Sequence, residues 1–96
     1  MERPFERLKR KVMIENLWMF VLKLLKTEHY GFEIRDMIQK RFGFWTGNVT
    51  AYKVLYALET DGYVSSFIKV GKKYYTITEK GKKELKAAEK FLKSID

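Results

Sequence analysis

The chain has 96 residues, 46% of them hydrophobic, 16% aromatic and 33% charged. That describes one small folded domain, too apolar to be disordered and without an uninterrupted apolar run long enough to span a bilayer. It has no cysteine, which excludes a disulfide framework, a thiolate zinc site and thiol chemistry, and its net charge of +8 favours anionic partners.

The positive charge is concentrated at the two ends. Residues 1–11 carry a net +3, residues 12–68 balance, and residues 69–96 carry a net +5. Such ends attract polyanions through counterion release, or serve only to keep a small domain soluble. The charged start, Met1-Glu2-Arg3-Pro4, lacks the apolar segment of a signal peptide, so a cytoplasmic location is expected.

In chain order, a first helix is predicted over residues 6–26. Its interior, Val12 to Ile14, Leu17 to Leu22 and Leu24-Leu25, is apolar on almost every side. A surface helix needs one apolar stripe. A helix apolar all round in so small a domain is expected to be covered on two sides, by its own domain and by a second subunit. A short connection, residues 27–31, leads to a second helix over 31–41, with Phe32, Ile34, Met37 and Ile38 facing inward and Gly43 ending it. After the loop Phe44-Trp45-Thr46-Gly47, a third helix is predicted over 48–61. Ala51, Val54, Leu55 and Leu58 form its buried face, and Gly62 stops it.

The period then changes from helical to alternating. Residues 63–68 and 73–78 read as two strands around the turn Lys69-Val70-Gly71-Lys72, a hairpin with a basic tip. A last helix opens at Thr78-Glu79-Lys80-Gly81 and runs to about residue 94, with Leu85, Ala88, Phe91 or Leu92, and Ile95 on one stripe. The fold class is therefore mostly α with a small β hairpin. The order, three helices, two strands and a helix (α-α-α-β-β-α), is a winged helix-turn-helix. Residues 1–96 are read as one such domain.

Three segments resemble the PadR-like family of winged-helix regulators. Tyr30-Gly31-Phe32-Glu33-Ile34 resembles the opening of its second helix. The stretch Thr50-Ala51-Tyr52, Leu55, Leu58-Glu59 and Gly62-Tyr63-Val64 resembles its recognition-helix signature, and Lys73-Tyr74-Tyr75-Thr76-Ile77-Thr78 followed by Gly81 resembles its wing. The chain departs from the family pattern at Tyr30, where histidine is usual, and at Lys53, where proline is frequent. The resemblance implies a regulator that binds double-stranded DNA as a homodimer through its first and last helices. It also implies a small aromatic effector as a further partner at that interface.

On this reading the exposed residues of the third helix and the loop before it, Thr46, Asn48, Thr50, Tyr52, Lys53 and Tyr56, face the major groove. Asn48 either pairs with adenine or caps the helix. Lys69, Lys72 and Lys73 of the wing contact the backbone, or protect a solvated hairpin from edge pairing. Leu17, Trp18, Val21, Leu85, Ala88, Phe91 and Leu92 are the candidates for the dimer interface, where Trp18 either lines an effector pocket or packs as an interface residue. Trp45 and Tyr75 are read as core residues.

Catalysis has little support. His29 has no cysteine or second histidine to share a metal, Glu33 and Asp36 read as a solvated helix face, and no phosphate loop or nucleophile elbow occurs. No cofactor, metal or membrane partner is expected. Two other classes stay open: a winged helix used for protein–protein contact, and an architectural protein that binds DNA without sequence selection.

Overall fold

A computed structural model describes residues 3–42 and 48–95; the side chains of residues 9, 10, 12–15, 42 and 48–50 lie outside that description. Among the described residues, five helices and three strands follow one another. They are α1 (Pro4–Glu15), α2 (Leu17–Leu24), β1 (His29–Tyr30), α3 (Gly31–Phe42), α4 (Asn48–Thr60), β2 (Val64–Lys69), β3 (Lys72–Ile77) and α5 (Glu79–Ser94). The helix-turn-helix pair is α3 and α4, and β2 and β3 form the wing. The fold is thus the winged helix expected, with two differences in the first third of the chain.

The first difference is a break in the first helix. Asn16 leaves helical geometry (φ −102°, ψ 10°) between α1 and α2, and the Met19 amide donates to its carbonyl at 3.1 Å. Asparagine competes with the helix for its own backbone groups, so an interruption falls naturally there. The apolar surround of the second half then has a different explanation from the one expected. Leu17, Val21, Leu22 and Leu25 are wholly buried within this one chain. Their cover comes from α3, α4 and α5 of the same chain, while Trp18, Phe20 and Leu24 on the other side of the helix are only partly buried.

The second difference is a third strand. His29 and Tyr30 pair antiparallel with Tyr75 and Tyr74, so the sheet order is β1-β3-β2 and the wing is anchored on one edge. The chain is held there by the end of α2. The Leu25 carbonyl accepts from the Ile77 amide at 2.8 Å and from the Thr76 hydroxyl at 3.4 Å. A carbonyl that a helix C-terminus would leave unsatisfied is thereby used to fasten the sheet.

Local capping sets the remaining boundaries. The Glu33 carboxylate accepts from the Tyr30 amide at 3.1 Å, one half of a capping box at the start of α3. At the end of α4, the Tyr63 amide donates to the Leu58 carbonyl at 2.9 Å and the Gly62 amide to the Glu59 carbonyl at 3.1 Å. These are the two bonds of a Schellman motif. They require Gly62 at φ +84°, where a Cβ is strained, so the Leu-Glu-x-x-Gly signature is a helix terminator in physical terms.

The core joins Leu17, Val21, Leu22 and Leu25 to Ile34 and Ile38 of α3, Ala51 and Leu55 of α4, Tyr75 and Ile77 of β3, and Leu85 of α5. Tyr75 is buried as expected, and burial pushes its phenol above the ordinary 10.0 against the pull of the nearby Lys73 ammonium. Phe32 is not inward-facing: it is 55% exposed and carries the Arg35 guanidinium 4.3 Å above its ring. Such a contact covers one aromatic face without burying it. No helix among the described residues is long and apolar enough to cross a membrane.

Candidate nucleic-acid interface

Helix α4 packs Ala51, Leu55 and Leu58 into the core, which turns Lys53 and Tyr56 outward at the helical spacing. Tyr52 is half-buried against the core, and its ring stacks on that of Tyr56 with centroids 5.9 Å apart and planes 16° from parallel. The stack at i and i+4 stiffens the exposed face around Lys53. Of the other expected groove contacts, Thr46 lies outside the described residues, as do Gly43 and Trp45. Asn48 and Thr50 belong to the first turn of α4, with side chains outside the description.

The wing stands beside this helix and is tied to it by Glu59. That carboxylate accepts a hydrogen bond from the Ser66 hydroxyl of β2 and lies 3.9 Å from the Lys73 ammonium of β3. One side chain of α4 thus fixes both wing strands. The tip is a two-residue turn with Val70 at φ 51° and Gly71 at φ 73°, the positive-φ pair of a type I′ hairpin.

The three wing lysines do not extend past the tip. Lys69 crosses the face of β3 with its ammonium 5.5 Å from the Tyr74 ring centroid and ends on the Glu28 carboxylate. The hydrogen bond to Glu28, and then its charge, hold the Lys69 ammonium above its ordinary 10.5. Lys72 folds over the Tyr30 ring at 4.3 Å. Lys73 lies on the opposite face of the sheet, between Glu59 and the Tyr75 ring. The expected basic tip is therefore an apolar one, with Val70 89% exposed and the cations drawn back along the sheet.

Residues that no local pattern marks as partners of the wing do this work. Glu28 and Glu59 are carboxylates 41 and 14 residues from the lysines they meet, separations that no local pattern reveals. Tyr30, part of the family motif, packs edge-on against Tyr74 with centroids 5.8 Å apart and supports Lys72.

The expected interface residues divide into three groups. Leu17, Val21 and Leu85 are core residues of the single chain, filled in by their own helices, and present no surface to a partner. Trp18 and Ala88 pack partly against that core. Phe91 (63% exposed) and Leu92 (46%) are exposed on the far half of α5 and Ile95 (64%) just after it, and Phe5 and Leu8 are exposed on α1. Trp18 is not among the walls of the groove between Lys26 and α5, which is lined by Lys82, Lys83, Lys86, Glu79 and Glu89 around Leu85.

The residues outside these surfaces have structural partners. His29 lies 3.1 Å from the Thr27 hydroxyl and 3.7 Å from Glu33, and Asp36 pairs with Lys40 at 3.1 Å. Glu33 is a cap and not merely a solvated carboxylate.

Comparison with known proteins agrees with the geometry. Residues 21–87 match the profile of the transcriptional regulator PadR-like family. A PadR family transcriptional regulator from Eggerthella lenta superposes with a TM-score of 0.82 at 23% identity, over 95% of this chain and 84% of that one. A transcriptional regulator from Clostridium thermocellum gives 0.75 at 26% identity, over 88% and 87%. Bacillus subtilis PadR, solved in complex with operator DNA, gives 0.59 at 30% identity over 74% of this chain, which spans 45% of that longer protein. The search of curated proteins gives no significant match. The chain belongs to the PadR-like family of transcriptional regulators.

Proposed function

We propose that this chain is a transcriptional repressor that binds a palindromic operator as a homodimer. One observation carries the reading: Lys53 and Tyr56 stand exposed on α4 beside a lysine-bearing wing locked to that helix by Glu59. In the related Bacillus subtilis protein, the chain of the same fold was solved on operator DNA. Each subunit would set α4 in one major groove, and the wing lysines would meet phosphates beside it. A two-fold axis then requires two half-sites about one helical turn of DNA, or a multiple, apart.

The partner surface is assigned to the exposed apolar residues Phe91 and Leu92 of α5 and Ile95 just after it, with Phe5 and Leu8 of α1. Repression follows from occupancy of the operator. Release follows when an effector or partner favours a dimer with a different spacing of its two reading helices, and half-buried Trp18 is the side chain offered to a flat aromatic effector.

A second reading, an interaction module for protein partners, draws support from the pairing of Lys69 and Lys73 with carboxylates of the same chain. Selection from a random duplex pool, on protein of measured oligomeric mass, tests both. A palindrome of about 15–25 base pairs bound by a dimer is the expected result. Salt-sensitive binding without selection indicates an architectural protein, and no binding indicates the interaction module.

A further inference from the structure

Lys69 occupies the last position of β2, next to the tip, and its side chain turns back from the tip along the sheet. Its ammonium passes back over Tyr74 to Glu28, and the position of Glu28 is dictated by the sheet itself. Glu28 immediately precedes β1, whose pairing of His29 with Tyr75 and Tyr30 with Tyr74 places it on the same face as Phe67, Tyr74 and Lys69. The neighbouring Lys72 on that face is treated differently. It rests on the Tyr30 ring, a contact with a neutral group that leaves its charge uncancelled.

We propose that Glu28 is an internal competitor for DNA phosphate: it neutralises Lys69 in the free protein, so that the wing enters DNA contact by exchanging a carboxylate for a phosphate. The proposal rests on the DNA-binding reading and adds to it a residue that sets how strongly the wing binds. Both side chains of the pair are about half exposed, so the pair is weak and exchangeable, and a dense row of phosphates displaces it. The exchange has a cost that Lys72 does not carry. A lysine released from bulk water gains the full counterion-release effect of a new phosphate contact, whereas Lys69 must first give up an anion it already holds.

The test is binding of the full chain to a fluorescent duplex of arbitrary sequence, titrated between about 50 and 200 mM salt. The variants are Glu28→Gln, Lys69→Gln, the two combined, and Lys72→Gln. Glu28→Gln should bind more tightly, up to about fivefold, the worth of an exposed ion pair, with the salt slope little changed because Lys69 neutralises a phosphate in both. Lys72→Gln should lose severalfold, Lys69→Gln should lose clearly less than Lys72→Gln because its phosphate contact is offset by the lost Glu28 pair, and the double variant should lose the gain of Glu28→Gln. Wild-type affinity in Glu28→Gln overturns the proposal alone. So does a gain that survives in the Lys69→Gln background, because general repulsion of phosphate by Glu28 would then account for it. Absence of duplex binding by both wild type and Glu28→Gln overturns the DNA-binding reading and the proposal together.

Discussion

Gly81 shows how one residue of the wing motif acts. A Cβ built on it would lie 2.1 Å from the Tyr63 carbonyl oxygen and 2.7 Å from Ile77 Cγ1. The carbonyl cannot move aside, because it accepts the Thr78 amide at 3.1 Å while the Thr78 hydroxyl caps the Gly81 amide at 3.1 Å. Threonine and glycine three apart thus form one device: the first caps α5 and the second lets its first turn touch the backbone after α4. Alanine gains about 1 kcal/mol of helix propensity but forces overpacking worth about 3 kcal/mol. Gly81→Ala should therefore lose about 2 kcal/mol and melt roughly 10 °C lower, a shift that thermal circular dichroism would detect. The motif was legible in the sequence; its reason was not, since the clash involves Tyr63, eighteen positions away.

At the level of the element, the wing carries a local defect. Val70 is β-branched and holds φ 51°, a conformation such residues avoid, at the first position of a turn that prefers Asn-Gly. Val70→Asn should stabilise the domain by about 0.5–1 kcal/mol and raise the melting temperature by a few degrees, measured in the same way. An unchanged or lower value would mean that the tip relaxes in solution without strain. Hairpin and turn could be read from alternation and from Gly71, and α3, α4 and α5 from their periods. The strand β1 could not, because two residues show no period and only the pairing with Tyr74 and Tyr75 defines it. The break at Asn16 was likewise hidden by the continuous apolar run around it.

For the molecule as a whole, the open question is the partner of the exposed α5 stripe. Phe91 is 63% exposed in the single chain, so Phe91→Glu leaves the core intact. If α5 is the dimer surface, a charge there desolvates without a partner, and light scattering should report a monomer where wild type reports a dimer. Retained dimer would move the interface elsewhere. The variant should also lose affinity for the palindrome, because two half-sites are then no longer engaged together.

Composition, periodicity and short motifs were enough to determine the order from α3 through the wing to α5, the winged-helix class and the resemblance to the PadR-like family. Those properties are local: a helix, a cap or a turn is encoded within a few residues. Tertiary structure decided which apolar residues are inside, turning Leu17, Val21 and Leu85 into core while leaving Phe32 and Phe91 in water. It also decided the partner of each wing lysine. Glu28 meets Lys69 only because β1 docks on β3, and Glu59 meets Lys73 only because α4 lies against the wing. Charge is counted along a chain, but its effect depends on distance in space, and packing alone sets that distance.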